Sequence, residues 1–225
     1  MKKAINKLNK GIILLSGGLD SLVSLDISSK EIDIKLALTF DYGQKAFKEE
    51  LSASRKIAKK YNIEHKTIKL PFLKEITSNA LTEEKYKNLN NFKSVWIPNR
   101  NGLFLNIAGC YCDKYNFNYI IFGANKEEAR EFPDNSSEFI KYADKFLNYS
   151  TLNQPKVYAP CLKFDKISII NYAISNNLDL KDIKSCYNSK KITGKKHCGK
   201  CMSCKLLYNA IKNAKRPDLL KEIFE

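Results

Sequence analysis

The chain has 225 residues, 44% of them hydrophobic and 28% charged, which is typical of one globular domain with at most a small appendage. It has neither an apolar run long enough to span a bilayer nor a signal-peptide pattern in its lysine-rich start, so we expect a cytoplasmic protein. The formal net charge of +15 has two explanations: lysine spread over a solvated surface, or an anionic partner such as RNA. Because the sequence has no aromatic-and-basic RNA motif, we favour a lysine-rich surface together with a nucleotide site.

Strand and helix patterns alternate along the chain, beginning with the aliphatic run GIILLS and the helix pattern that follows it. The predicted strands are residues 11–16, 33–42, 64–70, 119–124 and about 157–162. The predicted helices are residues 20–30, 46–63, 99–115, about 138–148 and 166–176. This alternation predicts a doubly wound, mostly parallel α/β sheet, and from about residue 181 the pattern gives way to a segment that contains four cysteines.

One rim of the predicted sheet is expected to hold the ligand, because such sheets bind ligands at the carboxyl ends of their strands. That rule brings together residues 16–21, 40–44 and 123–130, which lie far apart in the sequence. The polar, asparagine-rich stretch 74–93 predicts a flexible insertion over this rim. It is either a lid on the site or a disordered surface loop.

The sequence SGGLDS at residues 16–21, here called the glycine loop, lies between the first predicted strand and the first predicted helix. Backbone N–H groups and a helix N-terminus can converge on an anion there, and Ser16 and Ser21 add hydroxyl donors. Asp20 suits either a Mg²⁺ ion that bridges phosphates or a helix N-cap. The spacing and the lysine of a Walker loop are missing, and a tight turn capped by Asp20 is the alternative to an anion site.

The glycine loop resembles the pyrophosphate loop, or PP-loop, of the N-type ATP pyrophosphatases, which adenylate a carboxylate or amide oxygen and release pyrophosphate. This resemblance implies an adenine-nucleotide alpha hydrolase-like, Rossmann-like fold that binds ATP with Mg²⁺. The implied nucleotide contacts are Leu14, Leu15, Ser16, Gly17, Gly18, Leu19, Asp20, Ser21 and Asp41. For Asp41, which ends the second predicted strand, a polar strand cap is an equal alternative.

Three further stretches narrow the resemblance: residues 38–50 (LTFDYGQKAFKEE), 96–108 (WIPNRNGLFLNIA) and 185–205 with the cysteines. Together with the glycine loop, and in this order, they resemble the 7-cyano-7-deazaguanine synthase family over residues 11–210. The family implies an ATP-dependent carbon–nitrogen ligase that converts 7-carboxy-7-deazaguanine and ammonia, through an adenylate and an amide, into the nitrile precursor of queuosine and archaeosine. Free ammonia is the expected nitrogen source, because no glutaminase domain fits this length.

The resemblance also implies site residues, some of them with an alternative reading. The implied catalytic residues are Asp20, Arg100 and Lys166, and the implied substrate contacts are Arg100, Asn101, Gly123 and Asp134. Arg100 suits a carboxylate or a phosphate, with a surface ion pair as its alternative. A solvated lysine at a helix start is the alternative for Lys166, and a turn residue is the alternative for Asp134. The bacterial family pattern YPDCR is FPDNS here, which leaves Asn135 and Ser136 without an implied role.

Four cysteines near the C-terminus have the spacing C-x11-C-x2-C-x2-C, which suits a tetrahedral Zn²⁺ ion held by four thiolates. They are Cys186, Cys198, Cys201 and Cys204. Four protein ligands leave no open position, so we expect one structural zinc per chain, and an iron–sulfur cluster is the rival. His197 is interpreted as lying behind the ligands or exposed. The remaining cysteines are interpreted as buried small hydrophobic residues: Cys110, Cys112 and Cys161.

These expectations divide the chain into a PP-loop domain over residues 1–180 and a zinc-binding segment over residues 181–225, packed on the same domain. The family suggests a homodimer, and direct tRNA binding is not expected. A tRNA-modifying enzyme of the same superfamily, thiolating or lysidine-forming, is one alternative. The net charge favours it, whereas the lack of an RNA-binding domain and the single cysteine cluster disfavour it. A non-catalytic nucleotide-binding protein is the other alternative, and the intact glycine loop disfavours that.

Overall fold

The computed structural model describes residues 9–86, 89–90 and 92–224, and in these residues five strands form one sheet. Every neighbouring pair of strands is parallel, and the strand order is β3-β2-β1-β4-β5. The strands are β1 Lys10–Leu14, β2 Asp33–Asp41, β3 Glu64–Lys69, β4 Tyr119–Ile121 and β5 Lys156–Tyr158. The predicted α/β class is therefore confirmed, and the sheet is wholly parallel.

Helices connect the strands and continue beyond the last one. In the described part of the chain they are α1 Leu19–Ser29, α2 Phe47–Lys60, α3 Phe72–Glu75, α4 Phe92–Val95, α5 Arg100–Tyr115, α6 Lys126–Glu131, α7 Ser137–Ser150, α8 Lys166–Ser175, α9 Lys190–Thr193, α10 Met202–Asn213 and α11 Pro217–Phe224. A short 3-10 turn, Pro133–Asn135, precedes α7. Among the described helices none is long and apolar enough to cross a membrane.

The sheet is buried on both faces, which explains why β1 is a continuous aliphatic run rather than an alternating one. Ile12 and Leu14 belong to the core cluster under α5 and α7. Ile13 and Leu15 belong to the cluster on the other face, which packs against α1, α2, α8, α10 and α11. The order of the strands reverses at β1, because β2 pairs with one side of β1 and β4 with the other. This reversal leaves a crevice at the carboxyl ends of β1 and β4.

Two predicted strands are shorter than expected, since β4 ends at Ile121 and β5 at Tyr158. The chain leaves the sheet after β4 because α6 begins almost at once. The Asn125 side chain caps α6 by accepting hydrogen bonds from the backbone N–H groups of Glu127 and Glu128. The helices α6, α10 and α11 have no counterpart among the elements predicted from periodicity.

The predicted insertion at residues 74–93 is anchored to the protein by the buried residues 79–82 and 89, whereas residues 74–76 and 84–86 are exposed, and residues 87, 88 and 91 lie outside the described part. Ala80 and Leu81 are buried. The Ala80 N–H donates to the Ser94 carbonyl at 2.8 Å, and the Leu81 carbonyl accepts from the Lys45 N–H at 2.8 Å. These contacts favour a cover over the rim rather than a disordered surface loop.

Candidate active site

The glycine loop turns from β1 into α1 directly beside the backbone of α2. Gly17 has a φ of +80°, a conformation that side chains rarely adopt. A Cβ atom on Gly17 would lie 2.7 Å from the Glu50 carbonyl oxygen and 2.9 Å from the Ser54 backbone nitrogen. Neither backbone atom can move without disturbing α2. The first glycine of SGGLDS is therefore required by a close approach of two backbones.

The hydroxyl groups of the glycine loop hold the turn. Ser21 Oγ donates to the Gly18 carbonyl at 2.9 Å, and it lies 3.2 Å from Ser16 Oγ. Ser16 Oγ also accepts from the Gly18 N–H at 3.3 Å. Gly18 is the N-cap of α1 and no side chain caps this end of the helix, so the reading of Asp20 as the N-cap is wrong. Gly18 and Ser21 line the crevice beside this end of the helix, where the sequence predicts an anion site.

Asp20 is paired with Lys166, the first residue of α8. Lys166 Nζ lies 2.8 Å from one carboxylate oxygen of Asp20 and 2.7 Å from the other. Burial by itself lowers the pKa of Lys166, but attraction to Asp20 and Glu128 outweighs it and the pKa is raised. Burial raises the pKa of Glu128 despite Lys166. Because Lys166 is buried, its alternative reading as a solvated lysine is wrong.

Arg100, the first residue of α5, forms part of the wall of the cleft. Its Nη1 donates to the Tyr42 hydroxyl at 3.4 Å, and its guanidinium carbon lies 5.6 Å from the centre of the Tyr42 ring. Burial lowers the pKa of Arg100, but Tyr42 and Asp134 more than offset this and the guanidinium stays charged. Arg100 is therefore a cation of the cleft and not a surface ion pair.

The altered FPDNS stretch forms part of the same wall. Asp134 is buried in the 3-10 turn, and its Oδ1 accepts from the Asn135 side-chain amide at 3.1 Å. Burial raises the pKa of Asp134, while the nearby Arg100 acts in the opposite direction. Ser136 caps α7 by accepting from the Phe139 N–H at 3.1 Å. Asn135 thus orients a cleft carboxyl, and Ser136 starts a helix.

These groups enclose a cleft of about 240 Å³ at the carboxyl ends of the strands. Of the residues predicted for the site, ten line it: Leu14, Leu15, Ser16, Gly18, Asp20, Ser21, Arg100, Asn101, Gly123 and Asp134. The others lie outside the lining: Gly17, Leu19, Asp41 and Lys166. Lys166 reaches the site through Asp20. Asp41 instead accepts from the Gly43 N–H at 3.2 Å, which is the polar strand end given as its alternative.

Two half-buried carboxyl groups of the cleft were missed by the sequence analysis, namely Glu50 and Glu128. Gln44 Nε2 donates to Glu50 Oε2 at 2.9 Å, and burial raises the pKa of Glu50. Both glutamates lie in the first turns of helices, α2 and α6, that begin at the predicted rim. Acidic residues in a first turn are ordinarily explained by the helix dipole, so no local pattern assigns these two to the cleft.

The four predicted metal ligands converge at one point. The Sγ atoms of Cys186, Cys198, Cys201 and Cys204 all lie within 4.8 Å of one another. Cys198 Sγ is 3.9 Å from Cys204 Sγ, and Cys201 Sγ is 4.0 Å from Cys186 Sγ. A tetrahedron with metal–sulfur bonds of about 2.3 Å has edges of about 3.8 Å, so the donor set fits a tetrahedral ion. In the described residues no other group of three or more His, Cys, Asp or Glu side chains converges in this way.

His197 is buried behind the cysteines, so the reading that left it exposed is wrong. Its Nε2 accepts from the Ser185 N–H at 3.1 Å, which places the proton on Nδ1, 3.1 Å from the Ile223 carbonyl. Burial lowers the pKa of His197 to about 4, and the ring is therefore neutral near pH 7. Cys112 and Cys161 are buried as expected, whereas Cys110 is exposed on α5. The prediction that Cys110 is buried is therefore wrong: it lies on the exposed side of α5, although Gly109 and Cys112 in the same turn are buried.

Comparisons with known proteins agree with this arrangement. The family model described as queuosine biosynthesis protein QueC matches residues 10–215. A 7-cyano-7-deazaguanine synthase from Methanosarcina barkeri is 39% identical over 95% of this chain and 98% of its own length. One from Pelotomaculum thermopropionicum is 40% identical over 91% of this chain and 97% of its own length.

A solved structure of similar fold comes from Methanocaldococcus jannaschii and is described as a predicted subunit of a tRNA methyltransferase. It is 18% identical, with a TM-score of 0.50, over 74% of this chain and 75% of that one. At this identity the likeness concerns the fold alone.

Proposed function

This chain belongs to the queuosine biosynthesis protein QueC family, and on that premise we propose that it is an ATP-dependent carbon–nitrogen ligase. It converts 7-carboxy-7-deazaguanine and ammonia into 7-cyano-7-deazaguanine, through an adenylate and an amide. Relatives at about 40% identity match over almost their whole length, so the alternative of a tRNA-modifying enzyme is not favoured.

One observation carries the proposal: the glycine loop and the Arg100–Asp134 pair line a single cleft. The glycine loop offers backbone N–H groups and hydroxyls to phosphate oxygens. Arg100 and Asp134 offer a fixed cation and a buried carboxyl, which suit the carboxylate and the guanine-like edge of a deazaguanine acid. Adenylation needs an acid oxygen close to the α-phosphate, and a cleft shared by both sets of groups supports that proximity.

Charge in the glycine-loop wall supports ATP as the phosphate donor. Asp20 and Glu128 carry two carboxyl groups against the single ammonium of Lys166. A surplus of carboxylate fits a Mg²⁺ ion that takes most of its ligands from phosphate oxygens, and such an ion would neutralise charge on the departing pyrophosphate. We therefore assign Asp20 to the metal–phosphate side of the site and Lys166 to fixing the orientation of Asp20.

The two activations place different demands on the cleft. The first activation makes the carbonyl carbon reactive toward ammonia, because AMP is a far better leaving group than oxide. The second removes the amide oxygen with AMP, and two N–H protons must depart. Glu50 and Glu128, both lining the cleft with pKa values raised by burial, are the groups available to take up those protons. The packed cover around Leu81 supports a lid that excludes water.

We propose zinc for the four-cysteine site, one ion per chain, with a structural role. The sulfur spacing supports a tetrahedral ion, and backbone N–H groups of Cys198 and Cys201 point at sulfur atoms at 3.4 and 3.3 Å, as is usual around zinc thiolates. The four thiolates would fill the coordination shell of the ion. The ion therefore organises the chain and does not contact the substrate.

Three further expectations from the sequence stay proposals. The chain is divided into a PP-loop domain, residues 1–180, and a zinc-binding segment, residues 181–225; residues 1–8, 87, 88, 91 and 225 lie outside the described part. It acts in the cytoplasm without binding tRNA directly. It forms a homodimer, for which the exposed stripe of Tyr142, Phe146 and Tyr149 on α7 is the apolar surface in best agreement.

A single reaction tests the function. Purified protein is mixed with ATP, Mg²⁺, ammonium and 7-carboxy-7-deazaguanine, and the deazaguanine masses are followed by mass spectrometry together with AMP. We expect the mass of the nitrile to appear, with AMP and pyrophosphate. Folded, metal-loaded protein that releases no AMP from this mixture would refute the substrate assignment.

A further inference from the structure

We propose that the cysteine segment, residues 184–204, completes the ATP phosphate site, with Lys184 as the positioning residue that couples the metal cluster to the glycine loop. The inference rests on the proposed function, in which the glycine loop binds ATP. It gives the metal site a role in ATP affinity, beyond holding the C-terminal part of the chain together.

The cysteine segment touches the glycine loop through two consecutive residues. The Lys184 N–H donates to the Gly17 carbonyl at 2.8 Å, a main-chain bond that crosses from the cysteine segment to the loop. Ser185 Oγ accepts from the Leu19 N–H at 3.4 Å. Both Lys184 and Ser185 line the cleft beside Gly18. The Ser185 hydroxyl thus lies among the N–H groups that would receive a phosphate.

The Lys184 side chain connects this contact to the cysteines. It is 2% exposed, and its ammonium group donates to the Asn188 carbonyl at 2.6 Å and to the Lys196 carbonyl at 2.7 Å. These two carbonyls lie just inside the two ends of the loop that connects the first two metal ligands, Cys186 and Cys198. One ammonium group therefore fixes both ends of that loop relative to the main chain at residue 184.

Further hydrogen bonds extend the connection to the sulfur atoms. The Asn188 N–H and the Cys198 N–H both donate to Cys186 Sγ at 3.4 Å. On the other side, the Ser185 N–H is held by His197, the residue before Cys198. Positions 184 and 185 are thus held by groups whose own positions depend on the metal ligands.

A buried lysine is a costly choice if its task is only to fill space, because an ammonium group loses its hydration there. A methionine or leucine would pack in the same volume without that loss. That loss is offset here because the ammonium group of Lys184 donates to the Asn188 and Lys196 carbonyls, while the main chain of the same residue is bonded to the glycine loop. The lysine therefore holds the loop between Cys186 and Cys198 in a fixed position relative to the glycine loop, which a methionine could not do.

The test compares Lys184→Met with Lys196→Met in metal-loaded protein. The side chain of Lys196 is a matched control, because it lies in the same segment and donates to a main-chain carbonyl, that of Lys181, away from the glycine loop. Binding of a non-hydrolysable ATP analogue is measured by calorimetry, metal content by elemental analysis, and the KM values for ATP and for the deazaguanine acid by AMP release.

With full metal content, Lys184→Met is expected to raise the dissociation constant of the ATP analogue about tenfold, as for loss of a charged hydrogen-bonding group. The KM for ATP should rise with it, while the KM for the deazaguanine acid stays at the wild-type value. The control variant Lys196→Met should match the wild type in all of these constants. A merely destabilised variant would lose active fraction and leave the KM for ATP unchanged.

Wild-type affinity for the analogue in metal-loaded Lys184→Met would overturn the inference. If that variant fails to fold, Ser185→Ala decides: we expect about a threefold weaker analogue affinity, and unchanged affinity overturns the inference. The proposed function would fail separately. In that case Lys184→Met still weakens binding of the analogue relative to wild type, but the wild-type protein makes no nitrile.

Discussion

Both carboxylate oxygens of Asp20 accept hydrogen bonds from the ammonium group of Lys166, although the two residues are 146 positions apart in the sequence. The pair joins the glycine loop to the first turn of α8. Asp20 is consequently held in one orientation before any ligand binds, which is the preorganisation that phosphate chemistry exploits. Glu128 completes the group as a second carboxyl near the same ammonium.

Replacing Lys166 with methionine leaves Asp20 and Glu128 without their cation. We expect the free energy of unfolding to fall by about 3 kcal/mol, because removing one partner of a buried ion pair leaves an uncompensated charge. ATP consumption is expected to fall by about 100-fold or more. Urea denaturation and AMP release provide the two measurements, and Lys163→Met, which removes an exposed lysine before the same helix, is the control.

The double variant Asp20→Asn/Lys166→Met separates stability from chemistry. It removes both charges, so we expect it to regain most of the lost stability while ATP consumption stays low. A double variant that regains activity together with stability would show that the pair only supports the fold.

Gly17→Ala tests the close approach of the glycine loop to α2. The added Cβ would lie 2.7 Å from the Glu50 carbonyl oxygen, so we expect the loop to be displaced and ATP binding to be lost. Gly194→Ala is the matched control, since Gly194 also has a positive φ, +72°, but nothing lies within 4 Å of its Cβ position. The free energy of unfolding of the control should fall only by the conformational cost of a side chain at a positive φ, about 1–2 kcal/mol. Equal ATP affinity in both variants would contradict the steric argument.

Arg100→Lys keeps the positive charge of the cleft wall but loses the planar pair of donors. A lysine cannot make two parallel hydrogen bonds to a carboxylate, so we expect kcat/KM for 7-carboxy-7-deazaguanine to fall by about 30- to 100-fold. Arg216→Lys, at an arginine paired with Asp218 on the surface, controls for the substitution itself. Wild-type kinetics in Arg100→Lys would remove Arg100 from the substrate site.

Glu50→Gln is expected to change the pH dependence of stability. Burial raises the pKa of Glu50 in the folded protein, so the folded state binds its proton more tightly than the unfolded state does. The stability from that proton is full below the unfolded pKa and is lost as the pH rises through the folded pKa. The unfolding temperature of Glu50→Gln relative to wild type should therefore rise as the pH increases from the ordinary glutamate pKa upward. A difference that is constant over this range would contradict the assignment.

The metal site is tested by composition and by removal. Purified protein should contain one zinc per chain and lack the visible absorbance of an iron–sulfur cluster. Cys201→Ser should lose the metal and lower the unfolding temperature by more than about 10 °C, since binding energy of a structural ion is folding energy. Iron in place of zinc, or a fully stable metal-free variant, would contradict the structural zinc site.

Local pattern was sufficient to predict most of the sheet and the glycine loop. The aliphatic runs of β1 and β2, followed directly by turn residues, indicate buried parallel strands without knowledge of their partners. The cysteine spacing likewise predicts a metal site from local sequence, because C-x2-C turns bring two sulfur atoms to the same side. These features depend on residues that are close in the sequence, and the structure confirms them.

Long-range pairs were beyond a single sequence. Nothing near Lys166 identifies Asp20 as its partner, and nothing near Lys184 indicates that its ammonium group is buried between two carbonyls. Other placements depend on local detail. Asp41 ends β2 but accepts from the Gly43 N–H of its own turn, and Cys110 is exposed on α5 although Gly109 and Cys112 beside it are buried.

The central claim is that one cleft activates the same carbon twice, first as an acid and then as an amide. The most direct test is the ratio of AMP released to nitrile formed, measured in one quenched reaction with excess ammonium. The account predicts about two AMP molecules per nitrile and one per amide intermediate, because each adenylation releases one AMP. One AMP per nitrile, or nitrile formed from the amide without ATP, would contradict it.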